Sequence, residues 1–162
     1  MTDGITKEHA PQHGAGAIAQ LTGLELVSRL SESSIPPPSM VALLPFTLLP
    51  PGAGKVELDA TPDDRLLNLM NTVHGGWVMT MLDTAMALAA QTTLEPGEMC
   101  PTHETSVKFV RPIAPNAGAL RVTGLVLSRR RSVITLEGRI EDSRGRVLAH
   151  GTSTCLIVRK GS

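Results

Sequence analysis

The sequence predicts an α+β domain in which an antiparallel sheet wraps around one long central helix. Two observations carry this. Residues 77–90 are apolar on nearly every side, the mark of a helix enclosed by other structure rather than of an amphipathic surface helix. Four strand-like segments follow, and the connections among the last three are short enough to make them antiparallel neighbours. The chain has no internal repeats.

At 162 residues the chain is one domain by size, long enough for a sizeable core. A formal net charge of zero favours neither nucleic acid nor an anionic membrane as partner. The aromatic residues are Phe46, Trp77 and Phe109, so the core must be aliphatic and the composition disfavours base-stacking platforms. Cys100 and Cys155 are too few, and too far apart in sequence, for a disulfide framework or a zinc site. No metal and no cofactor is expected, and a reduced, cytoplasmic setting is the default. The N-terminus lacks the charged-then-apolar pattern of a secretion signal, and Asp83 interrupts the longest apolar run well short of a membrane span.

Along the chain, residues 1–16 read as a disordered leader and residues 17–162 as a single domain. Ile18, Leu21, Leu24, Leu26, Val27 and Leu30 follow a rough helical spacing, ended by the polar, proline-rich run from Ser31 to Pro38. Met40 to Leu49 predicts a helical turn leading into a strand, and the alternating Lys55–Ala60 another strand. Thr61 to Met70 lies in a loop before the central helix. Beyond that helix, Glu95-Pro-Gly-Glu98 is a turn. Thr102–Arg111 puts Thr105, Val107 and Phe109 on one face. Leu120–Leu127, Ser132–Glu141 and Val147–Val158 complete the set, the last two joined by the hairpin signal Asp142-Ser-Arg-Gly145.

Asp83 is the one ionisable group within the helix. Cores seldom keep a carboxylate without a reason. In an apolar pocket it serves as general base toward water or as nucleophile toward an acyl carbon; otherwise it is a structural carboxylate paired with a distant arginine. The helix begins at His74-Gly75-Gly76. Glycines there let a ligand approach the backbone at the end whose free N–H groups attract negative charge, and Gly75 suits an oxyanion. His74 is either a base or a structural hydrogen-bonder. Asn68 is placed to position water or a carbonyl, and Thr102 stands at the mouth of the next strand. Arg129, Arg130 and Arg131 form either a solvated turn or a contact for carrier phosphates. Met79, Met81 and Met86 suggest an adaptable apolar pocket. Gly75 and Asp83 lie eight residues apart, roughly 12 Å along a helix. One carbonyl can scarcely touch both in a single chain, so a site using both must be shared between two subunits.

The segment Asn68-Leu-Met-Asn-Thr-Val-His74-Gly75-Gly76, followed by Met-Leu-Asp83-Thr-Ala, resembles the signature of hotdog-fold acyl-CoA thioesterases of the phenylacetate-degradation type. These are related to 4-hydroxybenzoyl-CoA thioesterases, which carry Glu at the Asp83 position. The likeness extends over residues 21–158, through Lys108-Phe-Val-Arg-Pro112 and Ala149-His-Gly-Thr-Ser-Thr-Cys155. It implies the hotdog fold, a homodimer with a continuous sheet and shared active sites, often a homotetramer, and acyl-CoA as substrate. It implies further that Asp83 is general base or nucleophile and that Gly75 gives the oxyanion N–H. Asn68 would then orient water or thioester, His74 support the carbonyl side and Thr102 assist the water. Two positions depart from the family pattern: Asn71, often Gly, where Asn tolerates left-handed backbone, and Ala87, Thr in some relatives. The expected reaction is hydrolysis of an acyl-CoA thioester. The rivals are a non-hydrolytic acyl-CoA binding or regulatory module and a dehydratase on the same fold.

Overall fold

A computed structural model describes residues 20–159, so the predicted leader lies outside the described residues. Helix α1 spans Gly23–Ser31 and helix α2 spans Gly75–Gln91. The strands are β1 (Phe46–Leu48), β2 (Lys55–Ala60), β3 (Glu98–Met99), β4 (Thr102–Phe109), β5 (Leu120–Arg129), β6 (Val133–Glu141), β7 (Val147–Leu156) and β8 (Val158–Arg159). Six of them form one antiparallel sheet in the order β1-β2-β5-β6-β7-β4, and β3 pairs with β8. The expected wrapped helix is therefore the architecture found. The helical turn near Met40 is a single 3-10 turn at Val41–Leu43, and it leads into β1 as the sequence suggests.

Sequence periodicity explains which face is inside. In β2 the alternation buries Val56, Leu58 and Ala60, and in β6 it buries Ile134, Leu136 and Ile140. These side chains meet Met81, Leu82, Ala85, Met86 and Ala89 of α2. Each large aliphatic side chain fully buried there contributes about 2 kcal/mol, so the helix is held by packing more than by intrinsic propensity.

Two glycines, Gly124 and Gly138, let α2 lie directly on the sheet. Gly124, Gly138 and Gly151 face one another in adjacent strands, giving a side-chain-free row across β5, β6 and β7. A Cβ on Gly124 would stand 2.2 Å from the Ala85 carbonyl oxygen, and one on Gly138 would stand 3.0 Å from Cγ of Met86. A second close approach fixes α1 to the far end of α2. Gly23 packs on the Gln91 carbonyl and donates its N–H to Leu94 O at 2.8 Å. The start of α1 is closed by a capping box between Thr22 and Glu25.

Candidate active site

The loop entering α2 is built by Asn68. Its Oδ1 accepts from the N–H groups of Met70 (2.9 Å) and Thr72 (3.2 Å), and its Nδ2 donates to Thr72 Oγ1 at 2.9 Å. Within this turn Asn71 adopts φ 55°, the left-handed conformation that Asn tolerates. The Asn68 carboxamide thus shapes the loop and keeps one Nδ2 hydrogen without a partner among the described residues.

His74 is the N-cap of α2. Its Nδ1 accepts from the Gly76 N–H at 2.9 Å, which leaves Nε2 as the protonated, outward nitrogen. Of the two readings of His74, this is the structural one. Gly76 spends its N–H on that ring, and a Cβ there would crowd Nδ1 at 3.0 Å. Gly75 differs: its N–H takes no hydrogen bond among the described residues. It opens into a cleft of ≈400 Å³ lined by Asn68, Val78, Phe109, Arg111 and Leu148. The ring of Phe109 lies against it, 3.2 Å from where a Cβ would stand.

Two helical turns on, Asp83 is half-buried beside β4. Thr102 Oγ1 and Thr105 Oγ1 each donate to its Oδ1 at 3.2 Å. Oδ2 has no partner among the described residues. The sequence places Asp83 in an apolar pocket or opposite an arginine; the structure instead gives it two hydroxyls. Thr105 is also 3.1 Å from Ser153 Oγ, and Ser153 donates to Glu104 O at 3.0 Å.

Beneath Asp83 the two cysteines meet, which their sequence separation conceals. Cys155 is buried opposite Thr102 across the β4–β7 ladder. Its thiol is drawn down to about 7, chiefly by a hydrogen bond from Cys100 and against the opposing effects of burial and the Asp83 charge. Cys100 is pushed up by the same contact and by burial. Both are free thiols.

The other expected site residues scatter. Arg129 is engaged away from the carboxylate: its Nη2 donates to Glu98 Oε2 at 2.7 Å, and Arg159 holds the other oxygen at 2.7 Å. Arg130 and Arg131 are exposed at the β5–β6 hairpin. Met81 and Met86 are core residues, so only Met79, 44% exposed, remains available to a ligand pocket. Thr105 and Ser153 escaped the sequence reading as site residues. Strand parity was the available signal, because Thr105 shares a face with Val107 and Phe109 while Ser153 sits two residues from Cys155. Among the described residues no group of three or more His, Cys, Asp or Glu could hold a metal ion, and no helix is long and apolar enough to cross a membrane.

This arrangement has relatives. The family model of the thioesterase superfamily matches residues 70–149, from the Asn68 loop through α2 into β7. A protein of Ralstonia eutropha JMP134, described as a phenylacetic acid degradation-related protein, is 30% identical with a TM-score of 0.73, covering 80% of this chain and 98% of that one. A Haemophilus influenzae thioesterase shares the fold at 18% identity and a TM-score of 0.72, covering 86% of this chain and 92% of that one. A Streptococcus mutans UA159 protein bound to acetyl CoA does so at 20% identity and 0.65, covering 72% and 91%. No curated protein matches the chain. Sequence signature, helix-wrapped sheet and relatives agree, and the chain belongs to the thioesterase superfamily of thioester hydrolases.

Proposed function

We propose that the protein hydrolyses acyl-CoA thioesters to a carboxylic acid and CoA, at sites shared between two copies of the chain. One observation carries this reading. Asp83 Oδ2 and the Gly75 N–H are both free of partners among the described residues, and both lie along the α2–β4 seam. Two rulers give their separation. Eight residues of helix at ~1.5 Å span ~12 Å, and the strand from Thr105, which touches Asp83, to Phe109, which touches Gly75, spans ~13 Å. A thioester carbonyl cannot bridge that distance, so its oxygen sits at Gly75 of one subunit while the partner's Asp83 acts on the acyl carbon.

In the general-base route, Asp83 takes a proton from water as the water oxygen bonds to the acyl carbon. The oxyanion is held by the Gly75 N–H at the positive end of α2. Its collapse breaks the C–S bond, and the CoA thiolate leaves and takes up a proton. In the nucleophilic route Asp83 itself bonds to the acyl carbon, thiolate departs, and water cleaves the resulting anhydride. The products are the same. The acetyl-CoA complex of the S. mutans neighbour supports a CoA thioester as substrate, and two free thiols are in keeping with a reducing, cytoplasmic setting. The open outer face of the sheet, where Leu125 and Leu127 are exposed, suits a second dimer and hence a tetramer.

The test is thiol release from acetyl-, hexanoyl-, benzoyl- and phenylacetyl-CoA by the wild type and Asp83→Asn. The wild type should turn over at least one of them, and the variant should lose ~100-fold or more in kcat, the scale of a missing general base. Binding without thiol release would identify a non-hydrolytic module, and hydration of an enoyl thioester a dehydratase.

A further inference from the structure

The hydroxyls around Asp83 can be counted proton by proton. An ionised carboxylate only accepts, so Thr102 and Thr105 must each spend their single hydroxyl hydrogen on Oδ1. Thr105 Oγ1 is then an acceptor toward Ser153, 3.1 Å away. Ser153 has one hydrogen and two acceptors in reach, Thr105 Oγ1 and the Glu104 carbonyl at 3.0 Å. Ser153 is only 5% exposed, so solvent offers its hydrogen little alternative. Thr105 and Ser153 are also directly opposed across the β4–β7 ladder, so the backbone fixes their contact.

This arrangement is more than burial of a carboxylate requires. Asp83 is half-buried, and water could satisfy both of its oxygens. Instead two protein donors converge on one oxygen and none on the other. Such a clamp fixes the plane of the carboxylate and dedicates the two oxygens to different tasks. Chains of hydroxyls also polarise one another, so turning the Ser153 hydrogen from Glu104 O to Thr105 Oγ1 completes a Ser153→Thr105→Asp83 relay that grips Oδ1 more firmly than Thr105 alone.

We propose that Thr105, oriented by Ser153, is a positioning residue that clamps Asp83 through Oδ1 and leaves Oδ2 as the oxygen that meets water or the acyl carbon. Neither hydroxyl touches substrate; both act through Asp83. The proposal rests on the reading that Asp83 performs the chemical step.

The experiment measures kcat and KM with the fastest-hydrolysed member of the four-thioester panel. The variants are Thr105→Val, Thr105→Ser, Ser153→Ala and Asp83→Asn, together with the double variant Thr105→Val/Asp83→Asn. Circular dichroism and thermal melting check folding. Thr105→Val keeps the branched shape and removes the hydroxyl. It should lower kcat about tenfold with KM little changed, the scale of one hydrogen bond to a charged group. Thr105→Ser should restore kcat to near the wild-type value. Ser153→Ala should lower kcat about threefold in the same direction, one neutral bond being weaker. In the Asp83→Asn background, Thr105→Val should add nothing, because its route to the chemistry is already cut. Unchanged kcat in Thr105→Val beside an inactive Asp83→Asn overturns the positioning role and leaves the catalytic reading standing. So does an equal drop in both backgrounds, or a loss confined to KM. Near-normal turnover by Asp83→Asn overturns the catalytic reading itself, and the positioning role with it. Should Thr105→Val fail to fold, Thr105→Ser and Ser153→Ala decide by the same kcat and KM criteria.

Discussion

The α-carbon of Gly124 lies directly under the Ala85 carbonyl, so close that a Cβ would stand 2.2 Å from the oxygen and 2.7 Å from the Met86 nitrogen. The contact is backbone to backbone, and neither side can yield by changing a rotamer. It sets the height of α2 over the sheet two residues from Asp83, and with that the reach from Asp83 to the β4 hydroxyls.

Gly124→Ala should therefore destabilise the protein by about 3 kcal/mol, at the upper end of overpacking costs. Gly52→Ala is the control, since nothing lies within 4 Å of its Cβ position and its backbone is not in the left-handed region. Urea denaturation of both variants checks the difference. Equal stabilities would mean that the helix does not rest on the glycine row.

Glu98 offers a pH-dependent test. Burial pushes its carboxyl up, but the Glu95 backbone N–H, Arg159 and Arg129 together outweigh that and hold it below the ordinary value. A depressed folded-state pKa stabilises above the unfolded-state pKa, and the gain is lost as pH falls through the folded value. Glu98→Gln should cost about 2 kcal/mol at pH 7, where a charge-assisted pair is broken and the arginines can rehydrate. The gap should close at an acid pH below the usual carboxylate range, as the wild-type carboxyl becomes protonated too. Urea denaturation at both pH values measures it, and a gap independent of pH would contradict the assignment.

Strand parity and the apolar run of α2 made the fold legible, because each reports a single local period. Asp83, Gly75 and their helical distance were legible for the same reason. Long-range register was not. That Thr105 opposes Ser153, that Cys100 meets Cys155, and that three glycines fall in one row depend on which residues face one another across β5, β6, β7 and β4. The Arg129–Glu98 pair was hidden likewise. It joins positions 31 residues apart, and the sequence shows only three consecutive arginines at a turn.

Arg130 and Arg131 remain exposed at that turn, and replacing both with Gln tests them as a phosphate contact. KM for an acyl-CoA should rise several-fold more than for the same acyl group on a pantetheine thiol, with kcat little changed, as expected when ground-state binding alone is lost. Equal shifts for both substrates would make the pair a solvated hairpin. Arg129 is left intact, because its loss would strip a buried carboxylate of a partner.

Among the described residues β4 is an edge strand; if two copies join along it, a site shared between them would dictate their register. To bring the partner's Asp83, held at Thr105, against Gly75, beneath Phe109, Thr105 must face Phe109 across the two-fold axis. Val107 then faces its own copy. Facing residues in an antiparallel pair have Cα atoms about 4.5–5.5 Å apart, within reach of a disulfide. With Cys100 and Cys155 changed to Ala, Val107→Cys should yield a covalent dimer under mild oxidation, seen on a non-reducing gel. Thr102→Cys should not. Crosslinking at Thr102 alone would require a different register.

Mixed dimers test the two-subunit site directly. Asn68→Ala damages the loop that presents Gly75, since the Asn68 carboxamide holds that turn through three hydrogen bonds. Asp83→Asn damages the carboxylate side. Each homodimer should be nearly inactive. Co-expressed chains that pair at random give about half mixed dimers by two-fold symmetry. If every site takes its loop from one subunit and its aspartate from the other, each mixed dimer holds one intact site and one doubly damaged site. Activity should then recover to roughly a quarter of the wild type, as that pairing symmetry requires. If both residues served a site within one chain, no dimer would contain an intact site and mixing would restore nothing. Differently tagged chains, purified in tandem, isolate the mixed species and remove any bias in pairing. A purified mixed dimer no more active than its parents would place Gly75 and Asp83 in separate roles.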